Sequence, residues 1–503
     1  MITRMKISGF KNLVDLDVRF GPFTCVAGAN GVGKSNIFDA IIFLSNLAEK
    51  TFVEAAMSVR GEGSRVADVR HLFHKTGNNY TDKMSFEVEM IIPCRGMDDY
   101  GQLAEASITS LRYAVSLAYR KDQGESSFGP LELLSEELKP IKLGDASKRF
   151  LFPLTVKTWR KSAVKGRRTA FFISTKADGD ERIIRMHQDS GGHKTDKWRR
   201  GTGPSFPAAS LPRTVLSSAI NAVESPTALL VRREMQSWRL LQLEPSALRK
   251  PDEITAPRKL SSKGSHLPAT LYRLAGDSQT DGSSNSTAQV YAELATHLSE
   301  LINDVQEVRV DRDEKRELLT LQVVDRNGTA HPARSLSDGT LRFLALSILG
   351  MDSEEQGLLC FEEPENGIHP ERIPAMIQLL RDIATDTDEE LGPDNPLNQV
   401  IVNTHSPTVV GQIPDDSLLV AELKEYIDEE KNRYKGLSLS CLDDTWRAKV
   451  PEKTKVVSKG KLLSYLNPIV PDPEQYGAKK QNASRRVVDR EDMQQLFLPG
   501  MTR

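Results

Sequence analysis

Gly28-Ala29-Asn30-Gly31-Val32-Gly33-Lys34-Ser35 fits the pattern G-x-x-x-x-G-K-[ST]. In such a loop the glycines let successive backbone N–H groups converge on phosphate oxygens, the lysine supplies positive charge and the serine hydroxyl reaches Mg²⁺. A chain of this length matches the bare pattern by chance on the order of once in 100, so the flanks carry the reading. Phe23-Thr24-Cys25-Val26-Ala27 is a short apolar run of strand type, and after Asn36 the run Ile37-Phe38-Asp39-Ala40-Ile41-Ile42-Phe43-Leu44 repeats apolar residues at helical spacing. Strand, glycine loop and helix present an anion to a helix N-terminus, where the backbone dipoles favour it.

Upstream of the loop, Arg4 to Ser8 and Leu13 to Phe20 read as two strands, the second alternating Val14, Leu16, Val18 and Phe20 with other residues. Phe10-Lys11-Asn12 between them is either a plain hairpin turn or a loop near the phosphates. Beyond the loop helix the pattern breaks at Arg60-Gly61-Glu62-Gly63-Ser64. Strand-like runs follow at Met84 to Ile92, Ser110 to Tyr119 and Phe171 to Thr175, which suggests an antiparallel lobe. Pro226 to Leu243 reads as a helix, a short helix is expected around Ala269 to Leu274, and another from Thr287 to Ile302. Strands near Val305 to Arg312 and Leu318 to Val324 precede a turn at Asn327-Gly328. No heptad pattern persists long enough for a coiled-coil arm.

Three further motifs fall in order after these strands. Ser335-Leu336-Ser337-Asp338-Gly339-Thr340 leads into the apolar helix Leu341 to Leu349, and places hydroxyl and N–H donors at a helix start. Alone it would be an N-cap and nothing more. Gly357-Leu358-Leu359-Cys360-Phe361-Glu362-Glu363-Pro364 describes a buried strand running into two carboxylates, at the sheet edge where α/β proteins bind ligands. Successive strand residues face opposite ways, so the acids divide the work: Glu362 for Mg²⁺, Glu363 to orient or deprotonate a water. The bland alternative is an acidic helix start ahead of Pro364. A third strand, Val400-Ile401-Val402, ends at Asn403-Thr404-His405-Ser406-Pro407, where His405 is either a γ-phosphate sensor or a satisfied structural histidine.

The chain has 503 residues, 39% hydrophobic and 27% charged, which suits a globular protein of two or three domains or one core with a large insertion. A formal charge of −2 gives no global attraction to nucleic acid. From Lys148 to Arg200, however, fifteen Lys and Arg face five Asp and Glu, and Trp159 and Trp198 sit within basic clusters. This region fits a DNA or RNA surface, a dock for an acidic partner, or a solvated face. Cys25, Cys94, Cys360 and Cys441 lack paired spacing, as expected of free thiols in a reducing compartment. With no signal-like or membrane-spanning run, a cytoplasmic protein is expected.

Taken together, Gly28–Ser35, Leu336–Thr340, Leu358–Pro370 and Asn403–Pro407 resemble the ABC-type ATPases, in particular the RecF/OLD-like branch. There the signature reads close to L-S-D-G-T, and the acid strand runs into E-E-P-E-x-x-x-H-P. The resemblance implies an α/β P-loop NTPase head: a mixed or parallel core sheet, an antiparallel β lobe and a large α+β insertion without a long coiled coil. It also implies ATP and Mg²⁺ as cofactors, and a head-to-head homodimer in which Ser337, Asp338 and Gly339 of one copy close over ATP held by the other. By the same resemblance Gly28 to Asn36 and Lys34 hold the phosphates, Ser35 and Glu362 hold Mg²⁺, Glu363 is the catalytic carboxylate and His405 senses the γ-phosphate. Lys11 and Asn12 match a loop near the nucleotide, and Asn366 to His369 match the loop that communicates across the dimer. Two departures stand out: no glutamine loop is recognisable, and Glu362 replaces the usual aspartate.

The resulting division is 1–95 and 300–420 for the halves of the head, 96–299 for the insertion, and 421–503 for a tail that binds a partner or stabilises the dimer. A nuclease in the same chain is not expected, since Glu422 and Asp443-Asp444 are only near matches to the metal-binding acids of a TOPRIM domain. What remains resembles the stand-alone ATPase subunits of bacterial anti-phage systems of the Septu, PARIS and retron-linked types, which hold a separate effector nuclease. A RecF-like DNA-repair ATPase is the alternative. Assembly beyond the dimer stays open, and no membrane partner is expected.

Overall fold

The structure is a computed structural model that describes residues 1–59, 69–120, 129–178, 181–189, 204–277, 286–299, 304–352, 357–427, 433–450 and 455–466. The break expected at Arg60–Ser64, Trp198 and most of the expected tail lie outside the described residues. Two compact units divide the chain, Met1–Val457 and Ser458–Arg503; of the second, a helix at Lys459–Leu466 is described.

The first unit is built on two large sheets. One is wholly antiparallel, in the order Ser205–Pro207, Glu181–Met186, Ile173–Asp178, Leu131–Pro140, Ser110–Tyr119, Lys83–Ile91, Ile2–Phe10, Leu13–Arg19. The other runs Arg239–Leu241, Leu358–Glu362, Gln399–Thr404, Phe23–Ala27, Leu418–Ile427, Arg433–Cys441, Lys455–Val456, and its first five strands are parallel. Every residue of Phe23–Ala27 and of Gln399–Thr404 is buried, as parallel strands covered on both faces require. A smaller sheet joins Asp252–Glu253, Leu318–Asp325, Val305–Asp313 and Ala330–Pro332.

One apolar core contains residues of both large sheets and of the helix Lys34–Leu47. Within it Phe10, Phe43 and Phe86 meet at centroid distances of 5.9, 5.4 and 5.6 Å, so the loop helix is packed against the antiparallel sheet. Glu136 is buried in that sheet, where its carboxylate accepts the N–H groups of Val215 (2.6 Å) and Leu216 (2.9 Å) and the Tyr113 hydroxyl (3.1 Å). Burial pushes its pKa up to about 7 against the pull of these donors.

Several expectations change. The strand Leu131–Pro140, masked in the sequence by its Glu-rich composition, is central to the antiparallel sheet. The helix expected to reach Leu243 ends at Gln236, and Arg239–Leu241 instead forms the edge strand beside Leu358–Glu362. The division at 420 falls inside the strand Leu418–Ile427, and the core sheet continues to Val456. Likewise Ser110–Tyr119 pairs with Lys83–Ile91, so the division at 95 does not separate two sheets. Trp159 is fully buried against Phe152, with ring centroids 5.5 Å apart, and offers no face to a nucleic-acid base. The longest described helices have 14 residues each, too short for an extended paired-helix arm. Cys25, Cys360 and Cys441 are buried and Cys94 is partly so, all as free thiols.

Candidate functional site

The register of the core sheet sets Glu362, Asn403 and Val26 in one row, so the strand ends bearing Glu363, Thr404 and Gly28 lie side by side. The Gly28 N–H donates to the Thr404 carbonyl at 3.2 Å. Gly33 opens the helix Lys34–Leu47 with φ +95°, and a side chain there would collide with the Asn12 amide, 2.1 Å from the Cβ position. That amide donates to the Val32 carbonyl (3.0 Å) and accepts from Asn36 (2.7 Å), while Lys11, itself at φ +47°, pairs with the buried Asp39 at 2.7 Å. Lys11 and Asn12 thus form the hairpin turn and brace the phosphate loop at once.

Lys34 is 6% exposed, and its ammonium donates to the carbonyls of Gly28 (2.7 Å) and Ala29 (3.0 Å). Burial lowers its pKa, and the nearby charges of Glu363, Glu365 and Glu362 oppose that shift. Ala29, Asn30 and Gly31 are exposed at the loop tip, and Ser35 is partly exposed in the first helical turn.

Glu363 occupies the left-handed region at φ +46°, a strained setting for a residue with a side chain. Its N–H is held by both the main-chain and side-chain oxygens of Asn403, each at 3.1 Å. Its carboxylate contacts His405 Nδ1 at 2.7 Å and accepts Asn366 Nδ2 at 3.1 Å. Burial alone would raise its pKa; the Asn366 and His405 hydrogen bonds, with the His405 and Lys34 charges, bring it below the ordinary carboxylate value. Glu365 is buried, accepts the Thr404 hydroxyl, and has its pKa raised by burial; its Oε2 has no hydrogen-bond partner among the described residues.

Gln242, which sequence reasoning missed, follows the edge strand and donates its amide to Glu362. The parallel register of Leu241 with Phe361 makes them neighbours. The only signal was a Gln closing a short apolar run before Glu244-Pro245, and it was absorbed into an overlong helix. A cleft of about 440 Å³ opens here, lined by Gln242, Glu244, Arg342, Glu362, Glu363 and Asn366 among others.

Ser337 caps the helix Asp338–Met351, accepting the Thr340 N–H at 3.2 Å, with its hydroxyl 2.7 Å from that of Thr340. Gly339 lies so close to Gly367 that an added Cβ would sit 2.4 Å from its carbonyl oxygen. Arg342 donates to the carbonyls of Leu243 (3.1 Å) and Asn366. Lys34, Glu362, Glu363 and His405 therefore cluster with Gln242, whereas no hydrogen bond or ion pair among the described residues joins Ser337, Asp338 or Gly339 to the loop 28–35.

A family described as "AAA domain, putative AbiEii toxin, Type IV TA system" matches residues 200–411. DNA replication and repair protein RecF of Porphyromonas gingivalis is 32% identical over 96 residues, 19% of this chain and 24% of that one. RecF of Phocaeicola vulgatus is 34% identical over 64 residues, 12% and 17% of the respective chains. The chain thus spans a quarter or less of the curated relatives it matches, 24% and 17% of their lengths. Among solved structures, the SMC head domain from Thermotoga maritima aligns with 88% of this chain and 99% of that one at 12% identity and a TM-score of 0.36. The SmcHead bound to the C-winged helix domain of ScpA aligns with 88% and 98% at 13% identity and a TM-score of 0.42. Core sheet, phosphate loop, acid strand and antiparallel sheet give the chain a mixed α/β fold whose phosphate loop joins a core strand to the helix Lys34–Leu47. No helix among the described residues is long and apolar enough to cross a membrane.

Proposed function

We propose that the chain binds ATP with Mg²⁺ and hydrolyses it at composite sites between two copies. The observation that carries this reading is the convergence of Lys34, Glu362, Glu363 and His405 at adjacent strand ends, with Glu363 fixed by His405 at 2.7 Å. The donors fit Mg²⁺: the Ser35 hydroxyl, the Glu362 carboxylate and the Gln242 amide are hard oxygen donors. Ser35 and Glu362 would hold Mg²⁺, which would supply positive charge to offset that of the phosphates.

The chain's own groups supply the rest. The loop N–H groups and Lys34 hold phosphate oxygens. Glu363, kept ionised by Asn366 and His405, accepts a proton from the attacking water. His405, with Nδ1 on Glu363, is left its Nε2 for a phosphate oxygen. Ser337, Asp338 and Gly339, which no hydrogen bond or ion pair among the described residues joins to their own loop, close the site of the second copy.

In the cell this ATPase is proposed to be a cytoplasmic sensor and scaffold of an anti-phage complex that controls a separate effector nuclease. The toxin wording of the matched family favours this setting. The RecF relatives favour the second reading, a DNA-binding repair ATPase. DNA or RNA contact would use the exposed Lys157, Lys161, Lys165 and Arg167 of the basic stretch, without Trp159.

The test is Glu363→Gln with ATP. The variant is expected to bind ATP, to lose at least about 100-fold in hydrolysis and to accumulate as a dimer by analytical ultracentrifugation. A monomer that hydrolyses at the wild-type rate sinks the assignment. Copurification with a nuclease encoded nearby supports the defence setting, and copurification with DNA alone supports repair.

A further inference from the structure

The helix Asp338–Met351 presents its N-terminus, with the Ser337 cap and the Gly339 N–H, as the surface that would meet a phosphate. Asp338 is out of keeping with that task. Its carboxylate is 52% exposed at the first helical position, where it favours its own helix dipole and repels an approaching triphosphate.

Arg249 answers that charge. One guanidinium nitrogen donates both to the Asp338 carboxylate and, at 3.0 Å, to the Leu336 carbonyl. It therefore offsets the carboxylate, whose charge Arg342 on the same helix also feels, and fixes the turn ahead of Ser337. An exposed ion pair of this kind adds little to folding stability, so its main effect falls on whatever charge approaches. The segment that carries Arg249 begins at Gln242 on Glu362, and its Leu243 carbonyl holds Arg342 on the same helix. One short stretch thus touches the acid of one site and the anion-facing end of the signature.

We infer that Arg249 is a positioning residue: its guanidinium screens Asp338 and so makes Ser337-Asp338-Gly339 acceptable to the ATP bound by a second copy. This rests on the composite-site reading above. The structural contact with Leu336 predicts loss on any removal of Arg249, whereas screening predicts that removing the Asp338 charge compensates.

The experiment measures ATP-dependent dimerisation of the full chain in the Glu363→Gln background by analytical ultracentrifugation, with ATP affinity measured separately at low protein concentration. Arg249→Ala is expected to weaken the dimer at least about tenfold, since like charges set against each other across an interface disfavour it strongly, with monomer ATP affinity unchanged. Adding Asp338→Asn to Arg249→Ala is expected to restore the dimer to within about threefold of the parent. An Arg249→Ala dimer as tight as the parent overturns the inference. So does a double variant no better than Arg249→Ala, which would leave only the carbonyl contact. If Glu363→Gln alone forms no dimer with ATP, the composite-site reading fails and this inference falls with it; a parent dimer indifferent to Arg249 removes the inference alone.

Discussion

Gln242 donates its side-chain amide to the Glu362 carboxylate across 120 residues of sequence. The contact joins the edge strand Arg239–Leu241 to the acid strand and orients the Glu362 carboxylate through its Oε2. A partner that orients a metal-binding carboxylate usually matters about 10- to 100-fold in metal affinity. Gln242→Ala is therefore expected to raise the Mg²⁺ concentration needed for half-maximal ATPase activity by that factor, with Tm little changed. A magnesium titration superimposable on wild type would remove Gln242 from the site.

Lys34 is the side-chain cation of the phosphate loop, held on the Gly28 and Ala29 carbonyls. Hydrogen bonds to charged groups contribute roughly 1.5–3 kcal/mol, so Lys34→Ala should weaken ATP binding by about 10- to 100-fold. Fluorescent-nucleotide titration reads this directly, and unchanged affinity would contradict it.

Gly339 and Gly367 touch backbone to backbone. In Gly339→Ala the new Cβ would meet the Gly367 carbonyl at 2.4 Å, and neither partner is a flexible side-chain end that could swing away. Overpacking of this kind costs typically about 1–3 kcal/mol. A lowered Tm is expected, together with weaker ATP-dependent dimerisation, since the collision displaces the signature from the turn after Glu363. A variant with wild-type Tm would show that the two segments separate freely.

Glu136 couples the antiparallel sheet to pH. Its native pKa, raised to about 7 from an ordinary 4.5, means the folded state holds a proton that the unfolded chain releases. This contribution is fully present below pH 4.5 and is lost as pH rises through 7. Its size is about 3 kcal/mol. In Glu136→Gln that pH dependence should vanish from urea midpoints taken between pH 5 and 8. The amide NH₂ would also face the Val215 or Leu216 N–H, at a cost of about 1–3 kcal/mol. An undiminished slope would place the titration elsewhere.

Much of the site was legible because its residues come in contiguous runs. A glycine loop between strand and helix, or apolar residues ending in Glu362-Glu363, can be read from short-range order alone. Gln242 could not, because its meaning depends on Arg239–Leu241 joining a sheet whose next strand lies more than a hundred residues away. Three strand residues after a helix have too little periodicity to announce a change of element. Leu131–Pro140 was hidden for a related reason: Glu136 places a buried acid among the strand's apolar residues, and Val215 and Leu216 of a distant turn, with the Tyr113 hydroxyl, make that tolerable. Trp159 misled in the opposite direction. Basic neighbours suggested a surface, but the side chain turns inward to Phe152 while Lys157 and Lys161 stay outside.

The order of strands in the core sheet also constrains how the protein is made. Phe23–Ala27 has Gln399–Thr404 on one side and Leu418–Ile427 on the other, so neither edge has a partner until nearly four hundred further residues exist. At about 5–20 residues per second the nascent phosphate strand waits on the order of tens of seconds on the ribosome. Meanwhile the hairpin Ile2–Phe10 with Leu13–Arg19, and its neighbour Lys83–Ile91, have all they need to form. Translation thus delivers a scaffold first and a nucleotide site last, and truncated chains carry the loop without the strands that shape it.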